Sequence, residues 1–86
     1  MTTKQQTIFG VFIPQGWKME LVSIPDPVAK WSKTVEIAQL AEKLGFDSIW
    51  VYDHFHNVPR PAHEAVFECW TTMAAISQRT TKIRLG

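Results

Sequence analysis

Asp53-His54-Phe55-His56 is the stretch in which residue types and spacing point to chemistry. Histidine titrates near neutral pH and suits proton transfer. His54 is therefore the candidate proton acceptor or polarising group, and Asp53 the candidate partner that orients it or hydrogen-bonds a bound ligand. Being adjacent, the two point to opposite sides while strand geometry persists, and reach one cleft only once the chain turns. A second chemistry is open at the same place. His54 and His56, at i and i+2 on an extended segment, face the same way and form a metal-chelating pair of the kind that barrel hydrolases carry at a strand's end. Such a site needs further ligands, and His63 has no partner spacing near it. The plain alternative is that Asp53 caps the loop and His54 packs at its base.

Other residues carry weaker signals. Gln15 falls on the same expected edge as Asp53, where it either hydrogen-bonds substrate or another bound group, or satisfies loop backbone. Trp17 either walls the cleft by stacking or packs. Glu68 sits among apolar neighbours and, if buried, needs a partner such as Arg84. Cys69 reads as core, with no base near it. Arg79, Lys82 and Arg84 read as solvated charge at a helix-to-strand junction.

The elements that must position these residues follow from pattern. Thr7 to Ile13 is a short, nearly continuous apolar run, read as a strand buried on both faces and stopped by Pro14. A long loop reaches about Pro25, and long loops in compact folds are often functional. Asp26 caps a helix and Pro27 suits its first position. Its apolar stripe is Val28, Trp31, Val35, Ala38 and Ala41, widened by Ile37, Leu40 and Leu44, with Lys30, Lys33, Glu36, Glu42 and Lys43 largely opposite. Gly45 suits the left-handed residue past the helix end. Phe46 to Tyr52 reads as a second strand. Asn57 to Pro61 is a loop, since its two prolines forbid a helix. A second helix is predicted from about Ala62 to Arg79, with the stripe Val66, Cys69, Trp70, Met73, Ile76 and Ser77. Lys82 to Gly86 reads as a third strand.

The order β-α-β-α-β predicts a parallel sheet with right-handed crossovers. Parallel strands need cover on both faces, and two helices cannot supply it. Residues 1–86 are thus expected to be the first three strands and two helices of a (β/α)8 barrel of about 250 residues, incomplete in this chain. Bare strand edges make assembly into a homo-oligomer one way of completing the sheet.

Composition sets limits. Eighty-six residues make at most one small domain, and a formal charge of +1 argues against a nucleic-acid surface. Four tryptophans and five phenylalanines imply a core or a ligand cleft. One cysteine forms no internal disulfide and fits a reducing, cytoplasmic setting. The polar N-terminus lacks a signal core, and no apolar run approaches the roughly 20 residues that cross a bilayer, so a soluble chain without a membrane partner is expected.

Three segments together carry a resemblance to a known family. They are Phe9 to Trp17, Asp47 to His56, and Glu68 to Ile76 with Thr81 to Gly86. In order and spacing they resemble the N-terminal portion of the luciferase-like monooxygenase superfamily, and within it the oxidoreductases dependent on coenzyme F420, a deazaflavin. The resemblance implies a (β/α)8 barrel with a flavin-like ring in the mouth at the C-terminal ends of the strands. Asp53 and His54 match the pair that approaches the ring. The FMN-using luciferase branch tends to carry Glu-His-His there, so Asp53-His54-Phe55 favours F420 over FMN. The family also supports the ring on a backbone bulge just after the third strand, which begins here at Gly86. Cofactor contacts are thus expected from Asp53, His54, Gln15 and Gly86, with His54 handling the proton as a hydride passes between F420 and a small organic substrate. The competing expectations are an FMN-dependent monooxygenase, a metal-dependent barrel hydrolase using His54 and His56, and a non-catalytic fragment or assembly module.

Overall fold

The structure is a computed structural model and describes residues 7–54 and 65–86. His56, His63 and the loop Asn57 to Pro61 lie outside the described residues. Five elements follow in the expected order: β1 (Gly10–Phe12), α1 (Pro27–Lys43), β2 (Ser48–Trp50), α2 (Cys69–Ser77) and β3 (Arg84–Leu85). The strands form one parallel sheet in the order β1-β2-β3. Val11 lies opposite Ile49, and Ile49 opposite Leu85. Both strand neighbours therefore open the same rim.

Strand residues alternate between the faces, as a pleat requires. Val11, Ile13, Ile49, Val51, Ile83 and Leu85 belong to one core with Val35, Ala38 and Ala41 of α1 and Ile76 of α2. The other face is bare. Phe12 is 52 % exposed and Trp50 46 %, where burial on both faces was expected. Two helices on one side explain the difference. The strands are also shorter than the apolar runs. Ile8 and Phe9 are exposed beyond the paired part of β1, although the Phe9 carbonyl still accepts from the Asp47 amide at 2.9 Å.

Helix α1 starts and stops where local chemistry directs. The Asp26 carboxylate accepts the Ala29 amide at 3.0 Å, Pro27 opens the helix, and Gly45 takes φ +88° just beyond the Leu44 cap. Its buried face is narrower and more polar than the apolar stripe implied. Val28, Leu40 and Leu44 are exposed, whereas Lys30 is only 3 % exposed. The Lys30 stem crosses the interior and its Nζ donates to the Leu21 carbonyl at 2.9 Å. Thr34, wholly buried, donates to the Pro14 carbonyl at 2.8 Å and so ties α1 to the end of β1.

Helix α2 begins at Cys69, not near Ala62. Ala65 to Glu68 is non-helical, and Glu68 is the extended N-cap (φ −67°, ψ 139°). Its carboxylate accepts the amides of Trp70 (2.7 Å) and Thr71 (2.9 Å) and the Thr71 hydroxyl (2.7 Å). Those bonds hold its carboxyl below the ordinary value, the Thr71 hydroxyl contributing most. The expected Glu68–Arg84 pairing is thereby replaced by a cap.

Glu42 does a comparable task over a longer distance. One of its oxygens accepts the amides of Thr81, Lys82 and Ile83 at 2.7–3.0 Å, docking the start of β3 on α1. These three bonds, led by that from Lys82, hold the Glu42 carboxyl below its ordinary value. A lowered folded-state value means stability present above the ordinary carboxylate range and lost as pH falls through the folded value. Glu42→Gln should therefore lower the urea midpoint at neutral pH. The gap to the native chain should close in acid, where the native side chain is neutral too. A gap that persists in acid would show that the charge is not what holds this junction.

Candidate functional site

The carboxyl ends of β1 and β2 carry a contiguous set of rings. Phe12 stacks on Tyr52 with centroids 4.3 Å apart and planes at 11°. Tyr52 meets Trp17 edge-on at 4.8 Å. Trp17 in turn stacks on the His54 imidazole at 4.2 Å and 19°. Offset and edge contacts at these distances are the favoured aromatic geometries. Lys18 Nζ lies 4.9 Å from the Trp17 ring centroid, a cation–π distance. Trp17 therefore walls the rim by stacking. Tyr52 and Phe12 join it although neither stood out in the sequence; the alternation Trp50, Tyr52, His54 along one face was the signal that would have found Tyr52.

Asp53 and His54 are both exposed, and they diverge. His54 goes to Trp17, while the Asp53 charge reaches the Cys69 thiol on α2. Burial, then Asp53, then Glu68 push that thiol upward, which keeps Cys69 protonated and supports its reading as core. Among the described residues no hydrogen bond joins Asp53 to His54; the ring that orients His54 is Trp17. Nor do these residues bring three or more histidine, cysteine or acidic side chains together as a metal site would. The His54–His56 pair itself falls partly outside the described residues.

Gln15 lies beneath the rim. It is completely buried, and its carboxamide is committed to backbone: Nε2 donates to the carbonyls of Tyr52 (2.8 Å) and Phe67 (3.1 Å), and Oε1 accepts the Tyr52 amide (2.6 Å). Of the two roles open to it, satisfying backbone is the one seen. Gly86 continues the ladder, its amide bonded to the Ile49 carbonyl and its carbonyl to the Val51 amide. On the bare face Gly86 is roofed by Trp50, whose six-membered ring would sit 2.7 Å from any Cβ there. The opposite edge of the same indole leaves no room for a Cβ at Gly10, and its Nε1 donates to Ser48 Oγ at 2.8 Å.

The loop after β1 is held closed by Glu20. Its carboxylate accepts the amides of Gln15, Gly16 and Lys18 at 2.8–3.0 Å. Beside this loop lies a cleft of about 570 Å³ walled by Phe12, Pro14, Trp17, Leu21, Ile37 and Tyr52. His54 is absent from its lining.

Comparison with known proteins assigns this arrangement. The family described as luciferase-like monooxygenase matches residues 7–86. The chain belongs to the luciferase-like monooxygenase family. Its β-α-β-α-β unit is accordingly a portion of a TIM barrel, the fold of that family, and the aromatic rim stands at the strand ends where such barrels carry their sites. Two curated relatives of this luciferase-like chain are similar over part of its length. A 5,10-methylenetetrahydromethanopterin reductase of Methanolobus tindarius is 33 % identical over 61 residues, covering 71 % of this chain and 15 % of the relative. An F420-dependent glucose-6-phosphate dehydrogenase of Amycolatopsis mediterranei is 41 % identical over 54 residues, covering 60 % of this chain and 15 % of the relative. The matched part of the luciferase-like chain thus spans about a seventh of either relative's length. No solved structure matches it. Among the described residues no helix is long and apolar enough to cross a membrane.

Proposed function

We propose that this chain is the N-terminal part of a coenzyme F420-dependent oxidoreductase that moves a hydride between the deazaflavin and a small organic substrate. The observation that carries the proposal is the rim itself. An exposed imidazole is stacked on Trp17 at the carboxyl ends of two adjacent parallel strands, in a chain of the luciferase-like family. A relative whose name declares F420 dependence, and the Asp53-His54-Phe55 pattern, favour F420 over FMN.

The described residues suit a planar, partly apolar group. The bare face offers Trp50 and Phe12, the rim offers Tyr52, Trp17 and His54, and Asp53 adds one carboxylate at its edge. When bound, the deazaflavin supplies the hydride-accepting or hydride-donating carbon. His54 takes the proton that an alcohol must lose at oxygen, on a ring nitrogen that stacking on Trp17 leaves free at the ring's edge. Trp17 keeps the imidazole in one plane, so the proton acceptor need not be ordered for each turnover. Asp53 would supply one hydrogen-bond acceptor to the coenzyme. Gln15 acts only through the peptide groups it holds, and Gly86 only through the strand ladder beneath Trp50.

The experiment is a titration of the full-length protein that contains this chain with F420 and, separately, FMN, followed by coenzyme fluorescence. Saturable binding of F420 with none of FMN is expected. The reverse preference would move the chain to the FMN monooxygenases, and binding of neither would favour a part that acts only within a larger assembly. The bare sheet face supports that second reading, because Phe12 and Trp50 call for cover. Further chain or other copies would supply it, and a sizing column distinguishes a monomer from copies joined at open strand edges.

A further inference from the structure

We propose that Gln15 is the positioning residue of the rim: it fixes where His54 stands without touching any ligand. Its functional meaning rests on the reading of His54 given above; its geometric content does not.

Tyr52 lies two residues beyond the end of β2, where the ladder no longer pairs its peptide groups. Gln15 pairs both. Its Oε1 accepts the Tyr52 amide at 2.6 Å, and its Nε2 donates to the Tyr52 carbonyl at 2.8 Å. A side-chain amide thus takes the place of a neighbouring strand residue and prolongs β2 toward His54. The same Nε2 donates its other hydrogen to the Phe67 carbonyl at 3.1 Å, while the Gln15 carbonyl accepts the Phe67 amide at 2.8 Å. Two carbonyls and one amide around the group settle which end is nitrogen. Gln15 therefore fastens three separate segments: the end of β1, the end of β2 and the approach to α2.

What hangs on this clamp is the ring set. Tyr52 meets Trp17 edge-on, Trp17 stacks on His54, and Tyr52 lies 5.7 Å from His54 itself. Glu20 holds the Gln15 and Gly16 amides, so the loop bearing Trp17 is anchored at the same residue that anchors Tyr52. Removing the carboxamide leaves both Tyr52 peptide groups unpaired in a half-buried place, which the segment relieves by moving. His54, two residues on, moves with it.

The test uses the full-length protein that contains this chain and reads the ring-current shift that Trp17 imposes on the His54 imidazole by NMR, assigned with His54→Ala. Gln15→Leu should abolish that shift while the core methyl signals of Ile49 and Ile76 keep their positions. Turnover with F420 should fall at least about tenfold with KM within about twofold, the pattern of a misplaced group and not of a lost binding contact. Gln15→Glu serves where the leucine variant does not fold. Buried against two carbonyls, its carboxyl has a raised pKa. The neutral acid offers one donor, and ionisation removes it. The Trp17 contribution, taken as the difference from the native chain at each pH so that the imidazole's own titration cancels, should therefore be native-like in acid and lost as pH rises through that raised value. A folded Gln15→Leu that keeps the shift, or a Gln15→Glu chain that tracks the native chain at every pH, overturns the proposal. Loss of the shift in Gln15→Leu together with unchanged turnover in His54→Ala supports the clamp and removes the proton-handling role of His54.

Discussion

Replacing His54 with alanine is expected to slow turnover of the full-length protein that contains this chain about 100-fold or more, the lower end of what a positioned acid–base group contributes. Coenzyme affinity should stay within about threefold, since a group acting on the substrate proton alters kcat more than ground-state binding. The geometry supports that division. The imidazole is exposed and held flat against Trp17, so its nitrogens point away from the stack and its loss vacates one edge of the rim. The other rings stay tied to one another through the Phe12–Tyr52 stack and the Tyr52–Trp17 contact. The measurement is a pair of titrations, kcat and coenzyme Kd, on native and variant chains. Equal losses in the two would make His54 a binding residue and end the catalytic assignment.

The second large effect concerns folding. Gly16 has φ +98°, and a Cβ there would lie 2.2 Å from the Ala65 carbonyl oxygen. Gly16→Ala therefore combines left-handed strain, about 1–2 kcal/mol, with overpacking against backbone, about 1–3 kcal/mol. The sum, about 2–5 kcal/mol, is a large share of the stability of a small domain. Gly45 provides the control. It has φ +88°, but nothing lies within 4 Å of its absent side chain. Gly45→Ala should show the strain alone. Urea midpoints of the two variants decide, and equal costs would mean that the approach of Ala65 to the β1 loop is not tight. The same approach brings Phe67 to Gln15, so Gly16→Ala should also disturb the rim.

What could be read from the chain beforehand was what local chemistry dictates. Asp26-Pro27 and Gly45 mark the ends of α1 because caps and left-handed turns are decided within a few residues. The parallel order followed from the alternation of apolar runs with helical stripes. Long-range partners were the blind spot. Lys30 turns inward because a carbonyl nine residues upstream awaits its Nζ. The partners of Gln15 lie 37 and 52 residues away. Glu68 caps α2 inside a pattern whose apolar spacing runs on through Val66, so periodicity alone carried the helix too far toward its N-terminus. The bare face went unrecognised for a simpler reason: Phe12 and Trp50 are as apolar as buried residues, and sequence does not say what covers them.

Trp50 has a consequence for how this chain can vary. Its indole spans the middle strand from Gly10 on one side to Gly86 on the other, leaving no volume for a methyl group at either. The three positions behave as a single steric unit shared by all three strands. A larger residue at 10 or 86 is compatible only with a smaller one at 50, and a smaller one at 50 opens a trough along the sheet that must be refilled from its flanks. Related chains should therefore exchange bulk among these sites in concert, keeping the total volume near that of one indole.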